Sequence, residues 1–253
     1  MRAYELIKET FLRRMYIWVV HVSWLILYCF FWVLFLEEEK DFGQFLFFWG
    51  GFLLSLALSA GIFGDDIASG RICVLMTRPF WSGELYIYRL LGLSVQGVLH
   101  FILAGCVIYI VHLFIGRGTL EGLGIWLFSS CLLFIACAAL STTLSVVVSR
   151  AFNSLLLFIT VASAFFIVSI LSWYHDGDTG TKVLTAVLNY AGPPFKLLSK
   201  LAEGEYGKYS LIIGQHKLIK GLACITHSLV LTVLYSIVGI ILLSRRQFTY
   251  ELD

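Results

Sequence analysis

Charge is scarce in this chain. Asp, Glu, Lys and Arg make up 13% of its 253 residues, about half the ~25% of a soluble domain. Mean hydropathy is +0.89. A chain of this kind has lipid, not water, as its main solvent. No basic run is present, and the net charge of +2 is spread over several loops. That excludes a nucleic-acid partner. None of the 6 cysteines forms a Cys-x-x-Cys pair. Five of them (Cys29, Cys106, Cys131, Cys137 and Cys224) fall inside apolar runs and Cys73 does not. All read as small buried hydrophobes, not as disulfides or metal ligands.

Sequence signatures of catalysis are missing too. The P-loop pattern Gly-x-x-x-x-Gly-Lys-Ser/Thr does not occur. The nearest string runs from Gly204 through Gly207 and Lys208, with the wrong spacing and with Tyr209 where the hydroxyl residue belongs. There is no His-Glu-x-x-His helix and no Gly-x-Ser-x-Gly elbow. The chain is therefore expected not to be an enzyme, with no cofactor of its own. No Asp, Glu, Lys or Arg falls clearly inside an apolar run, so no coupling to an ion gradient is visible. His21, His100, His112 and His227 do fall inside, with Gln96 as the main other strong polar group. The histidines read as hydrogen-bonded packing residues.

What is present is a series of membrane-length segments. A bilayer core takes about 20 apolar residues per helix. Six stretches qualify: 15–36, 45–64, 91–116, 122–148, 152–173 and 222–243. Ser149, Arg150 and Ala151 separate the fourth from the fifth and predict a tight turn. The first run is too long for a signal-peptide core and is expected to stay as an anchor. The expected fold is an all-α polytopic membrane protein, one transmembrane domain over 1–253. Lys and Arg side with the N-terminus: Arg2, Lys8, Arg13, Arg14, Arg71, Arg78, Arg89, Arg150, Arg245 and Arg246 fall on one side, against Lys40 and Arg117 in the short loops opposite. By the positive-inside rule both termini are cytoplasmic. Glu37, Glu38, Glu39 and Asp41 then form an acidic outer loop. Tyr16, Trp18, Trp32, Trp49, Trp173 and Tyr174 lie near expected interfaces.

Small residues recur four apart: Gly51, Ser55 and Ser59 in the second run, and Ala138 with Thr142, and Ser141, Ser145 and Ser149, in the fourth. Such stripes let helices approach closely. They fit packing within the chain, a subunit interface or a translocation path. Residues 1–14 predict an interfacial helix, with Tyr4, Ile7, Phe11 and Met15 on one face and Glu9 placed to pair with Arg13. The long segment 174–221 carries two short amphipathic stripes, one at Val183, Leu184, Val187 and Leu188, the other at Phe195, Leu198 and Leu201. It predicts short helices on the outer leaflet.

The segment 65–92 interrupts the apolar pattern with Asp65, Asp66, Arg71, Arg78, Pro79 and Arg89. Asp65 and Asp66 suit the start of a short helix. Gly70 interrupts it, and Ile72, Leu75 and Met76 give an apolar edge. Pro79 predicts a turn near Arg78. Ser82 and Glu84 open the next helix, which runs through Leu85 and Arg89 into the third span.

This segment resembles the coupling region of the ABC-2 family of transporter permeases. An acid, a glycine four residues later, a Leu-rich stretch, a proline and a basic residue before the third span match Asp66, Gly70, Leu75-Met76, Pro79 and Arg89-Leu-Leu-Gly92. The six spans, amphipathic start and long last outer segment match in architecture. The resemblance implies a permease half, with export as the family's common direction, that pairs with a second copy or a paralogue in a bacterial or archaeal inner membrane. It implies docking of a separate ATP-binding subunit, which holds ATP and Mg, onto the N-terminal helix and residues 65–90. On that reading Asp65, Asp66, Gly70, Arg71, Leu75, Met76, Arg78, Pro79 and Arg89 form the coupling set, with Asp66, Arg71 and Arg78 in polar contact and Leu75 and Met76 in an apolar groove of the partner. The other readings are a secondary transporter, a membrane enzyme and a noncatalytic membrane scaffold.

Overall fold

The computed structural model describes residues 2–15, 18–35, 39–76, 81–115, 120, 122–148, 156, 159–160, 163, 194, 198 and 215–246. Among them all regular structure is helical: α1 Arg2–Met15, α2 Trp18–Leu34, α3 Glu39–Ser59, α4 Gly64–Ala68, α5 Arg71–Met76, α6 Ser82–Phe114, α7 Leu123–Val147 and α8 Gln215–Arg245. Four stretches are long and apolar enough to cross a membrane: 49–68, 82–114, 123–147 and 221–245. This is the build of an integral membrane protein. Residues 19–34 form a shorter apolar helix. Nearly all of the expected fifth span and of the expected outer segment lies outside the described residues. Residues 215–221, read as the end of that segment, are already the first turns of α8.

Several helices overrun their apolar runs. α3 begins at Glu39, so Glu39 and Asp41, expected in a loop, fall within its first turn. α6 begins at Ser82, nine residues before the apolar run, and its 33 residues extend about 50 Å. Trp81 occupies the cap position in extended conformation, and Ser82 is the first helical residue without a side-chain cap bond. α7 stops at Val147, where Val148 turns extended.

α7 is the central helix. It packs against α3, α6 and α8, and small residues let it do so: Ala136, Ala138, Ala139, Ser141, Thr142 and Ser145 are all buried. A Cβ on Gly51 of α3 would stand 3.0 Å from the Ser130 carbonyl oxygen of α7. The small-residue stripes of these two helices thus serve contacts within the chain. α6 divides its surface sharply. Arg89, Leu93, Gln96, His100, Ala104 and Ile108 are buried at three- and four-residue spacing, while Leu91, Val95, Leu99, Ile102 and Ile110 face outward. The polar residues Arg89, Gln96 and His100 are all on the inner face, and the outer face is apolar, as lipid requires. Trp32 is 1% exposed and packs near Trp126 and His112. It belongs to the helix contacts, not to an exposed aromatic belt.

The helix ends fall into register. Phe63, after α3, donates its N–H to Ser145 Oγ near the end of α7. Arg246, after α8, donates to the Val146 carbonyl, and Thr143 donates to the Tyr235 carbonyl at 2.7 Å. α8 therefore runs parallel to α7. The ends of α3, α7 and α8 and the starts of α4 and α6 share one end of the bundle, and α1 lies against α6 there.

Candidate functional site

The sequence segment singled out above folds into two short helices, α4 and α5, joined at Gly70. Gly70 has φ +67° and nothing within 4 Å of a would-be Cβ. The glycine is needed for its backbone conformation, not for space. Ser69 donates its hydroxyl to the Asp65 carbonyl at 2.7 Å and helps close α4.

Asp65 and Asp66 both sit in the first turn of α4 and face opposite ways. Asp65 is exposed. The Asp66 side chain is 0% exposed and that of Arg89, on α6, is 1% exposed. Arg89 Nη2 donates to Asp66 Oδ2 at 3.0 Å. Its Nη1 donates to Thr10 Oγ1 at 3.1 Å, and that hydroxyl in turn donates to the Leu6 carbonyl at 2.8 Å. Glu9 Oε1 lies 3.5 Å from Arg89 Nη2 and 2.6 Å from Arg71 Nη2. One guanidinium thus ties α4, α1 and α6 together, and one carboxylate bridges it to α5.

The two layers of this network differ in strength. The Arg71–Glu9 pair is 43% and 31% exposed and, like other surface pairs, contributes about 0–1 kcal/mol. The Arg89–Asp66 pair is buried. Removing one partner of such a pair typically costs about 3–5 kcal/mol, because a charge is left in a medium that solvates it poorly. The close approach of α1 and α6 rests on Gly92, where a Cβ would meet Thr10 Cβ at 2.8 Å and the Ile7 carbonyl oxygen at 3.0 Å.

This geometry turns α1 relative to the face read from its sequence. Leu6 and Thr10 are buried, Ile7 and Phe11 are half-buried, and Tyr4 is 64% exposed. Glu9 points to Arg71 and Arg89 on other helices; the Arg13 side chain, its expected mate, lies outside the described residues. The pull of Arg89 on Thr10 and Glu9 outweighs the apolar stripe.

Of the coupling set, Asp66, Leu75 and Arg89 face inward, Leu75 within the core beside Ile72 and Cys73. Asp65, Gly70 and Arg71 are exposed. Met76 ends α5, with its side chain outside the described residues, as are Arg78 and Pro79 altogether. Sequence reading missed Glu9 and Thr10 as members, since nothing local marks them. It also missed that His21, Gln96 and His100 meet: His21 Nδ1 is 3.0 Å from His100 Nδ1, and Gln96 Nε2 is 2.9 Å from His21 Nε2. The reading of these two histidines as hydrogen-bonded packing residues fits that contact. No family model and no curated protein matches this chain.

Proposed function

We propose that this chain is the membrane-spanning permease subunit of an ATP-driven transporter of the ABC-2 type, working as an exporter. The observation that carries the reading is the Arg89-centred network, which welds α1, α4 and α6 into one unit at a single end of the bundle. Above it Asp65, Ser69, Gly70 and Arg71 stand exposed as a small polar surface. A partner gripping that surface moves α4 and α5. Asp66 passes the motion to Arg89 and so to α6, and Glu9 passes it to α1. Packed helices respond by shifting between discrete arrangements, so a small displacement at one end alters the whole bundle. Asp65 and Arg71 make the polar contacts with the partner, while Asp66 and Arg89 position the surface from behind.

The same end gathers the N-terminal helix and the end of α8, which supports termini on one side. Because α7 and α8 run parallel, the chain leaves α7 at one end of the bundle and enters α8 at the other. That supports an additional crossing between them and a total of six spans. The Lys and Arg distribution assigns the α1 end to the cytoplasm. ATP and Mg belong to the ATP-binding partner, and a second permease copy or paralogue completes the pore.

Purification of the chain together with its ATP-binding subunit tests the reading. The wild type retains that subunit and its nucleotide-dependent activity, and Asp65→Arg/Arg71→Glu loses both while its helicity is unchanged. Full transport by the lone chain in ATP-free vesicles overturns it.

A further inference from the structure

The His21–Gln96–His100 contact lies between α2 and α6, away from the network just described. The two histidines are 79 positions apart in sequence, and their ring centroids are 5.0 Å apart. Gln96 and His100 are 3% exposed. A Gln amide nitrogen only donates. With Gln96 Nε2 against His21 Nε2, the bond pattern assigns His21 Nε2 as acceptor, His21 Nδ1 as donor and His100 Nδ1 as acceptor. Both accepting nitrogens are then in use.

A first added proton can be held. Rotation of the Gln96 amide turns its oxygen toward His21 Nε2, which becomes a donor, and the rest of the chain of bonds is unchanged. A second proton has no such outlet. It must go on His100 Nδ1 and set two N–H groups against each other at 3.0 Å. The closed contact therefore holds at most one extra proton, whereas two hydrated imidazoles take up two, each near the ordinary value of about 6.5.

We propose that His21, Gln96 and His100 form a proton-sensitive clasp that holds α2 against α6 and releases it on acidification. This inference is independent of the transport reading. The groups around the clasp do not offset the charge. Tyr28 of α2 brings its ring 5.9 Å from that of His100, backed by Phe47 of α3. α6 adds Phe101 beside His100, and α7 adds Phe134 behind it. Among the described residues no carboxylate pairs with either ring. Arg89, about 10 Å before Gln96 and about 16 Å before His100 by helical rise, is already matched by Asp66 and Glu9. Below a pH of about 6.5 the ratio of closed to open contact falls about tenfold per pH unit for each extra proton the open form binds.

Pulsed electron paramagnetic resonance on the full chain in liposomes reads this opening, with nitroxides at Ile26→Cys and Leu103→Cys, both exposed, and the native cysteines changed to alanine. The expected result is one short distance at pH 8 and a longer, broader distribution at pH 5. His21→Gln/His100→Gln, which keeps hydrogen-bonding groups but cannot charge, is expected to give the same distance at both. If the cysteine-free chain fails to fold, hydrogen exchange of the α2 amides in the native chain reads the same opening. Equal distances or equal exchange at pH 8 and pH 5 overturn the proposal, as does an undiminished response in the double variant.

Discussion

Replacing Asp66 by Asn removes the one carboxylate fully enclosed with Arg89 and leaves its size nearly unchanged. The guanidinium keeps Thr10 at 3.1 Å and a share of Glu9 at 3.5 Å, but Glu9 is bound more closely by Arg71 at 2.6 Å. A buried charge stripped of its partner costs about 3–5 kcal/mol, and the remaining Glu9 contact puts this case near the lower figure. Glu9→Gln removes a half-exposed carboxylate and is expected to cost about 1 kcal/mol. Asp66→Asn/Arg89→Met removes both buried charges and is expected to recover most of the loss, because no uncompensated ion remains. Equilibrium unfolding of the purified chain in mixed micelles, followed by helicity, measures all three, and the double-mutant cycle isolates the pair. A cost below about 1 kcal/mol for Asp66→Asn, or a double variant as unstable as the sum of its parts, would refute the reasoning.

Three further outcomes follow from the close contacts. Gly92→Ala drives a methyl group into Thr10 and the Ile7 carbonyl; it is expected to cost about 1–3 kcal/mol and to raise proteolysis within α1. Gly70→Ala meets no atom but must adopt φ +67°, so unfolding measurements are expected to give a loss of about 1–2 kcal/mol. Tyr86→Phe removes the hydroxyl that donates to the Ala139 carbonyl at 3.0 Å and contacts Thr143 Oγ1 at 2.8 Å; a loss of about 1 kcal/mol is expected, with faster hydrogen exchange where α8 crosses α7.

The helical class was legible because long apolar runs leave a bilayer protein few other ways to satisfy its backbone. The fourth apolar run matches α7 within a residue at each end. The apolar run 91–116 covers only part of α6, but Ser82 and Glu84 marked the helix start that hydropathy alone does not show, and α6 begins at Ser82. Asp66, Gly70 and Arg89 were legible as a set by their pattern in the chain. Which of them face inward was not, since Asp65 and Asp66 are adjacent and chemically alike, and only the position of Arg89 in space separates them. Glu9, Thr10 and the His21–His100 contact were illegible for the same reason: each is defined by residues more than 60 positions away.

Sided labelling of Ser69→Cys tests the central claim most directly, because Ser69 is exposed between α4 and α5 on the surface proposed to meet the ATP-binding partner. A membrane-impermeant maleimide is expected to label it in inverted membrane vesicles and to leave it unlabelled in right-side-out ones, with the ATP-binding subunit protecting it when bound. Labelling in right-side-out vesicles, across the membrane from the nucleotide pool, contradicts the account.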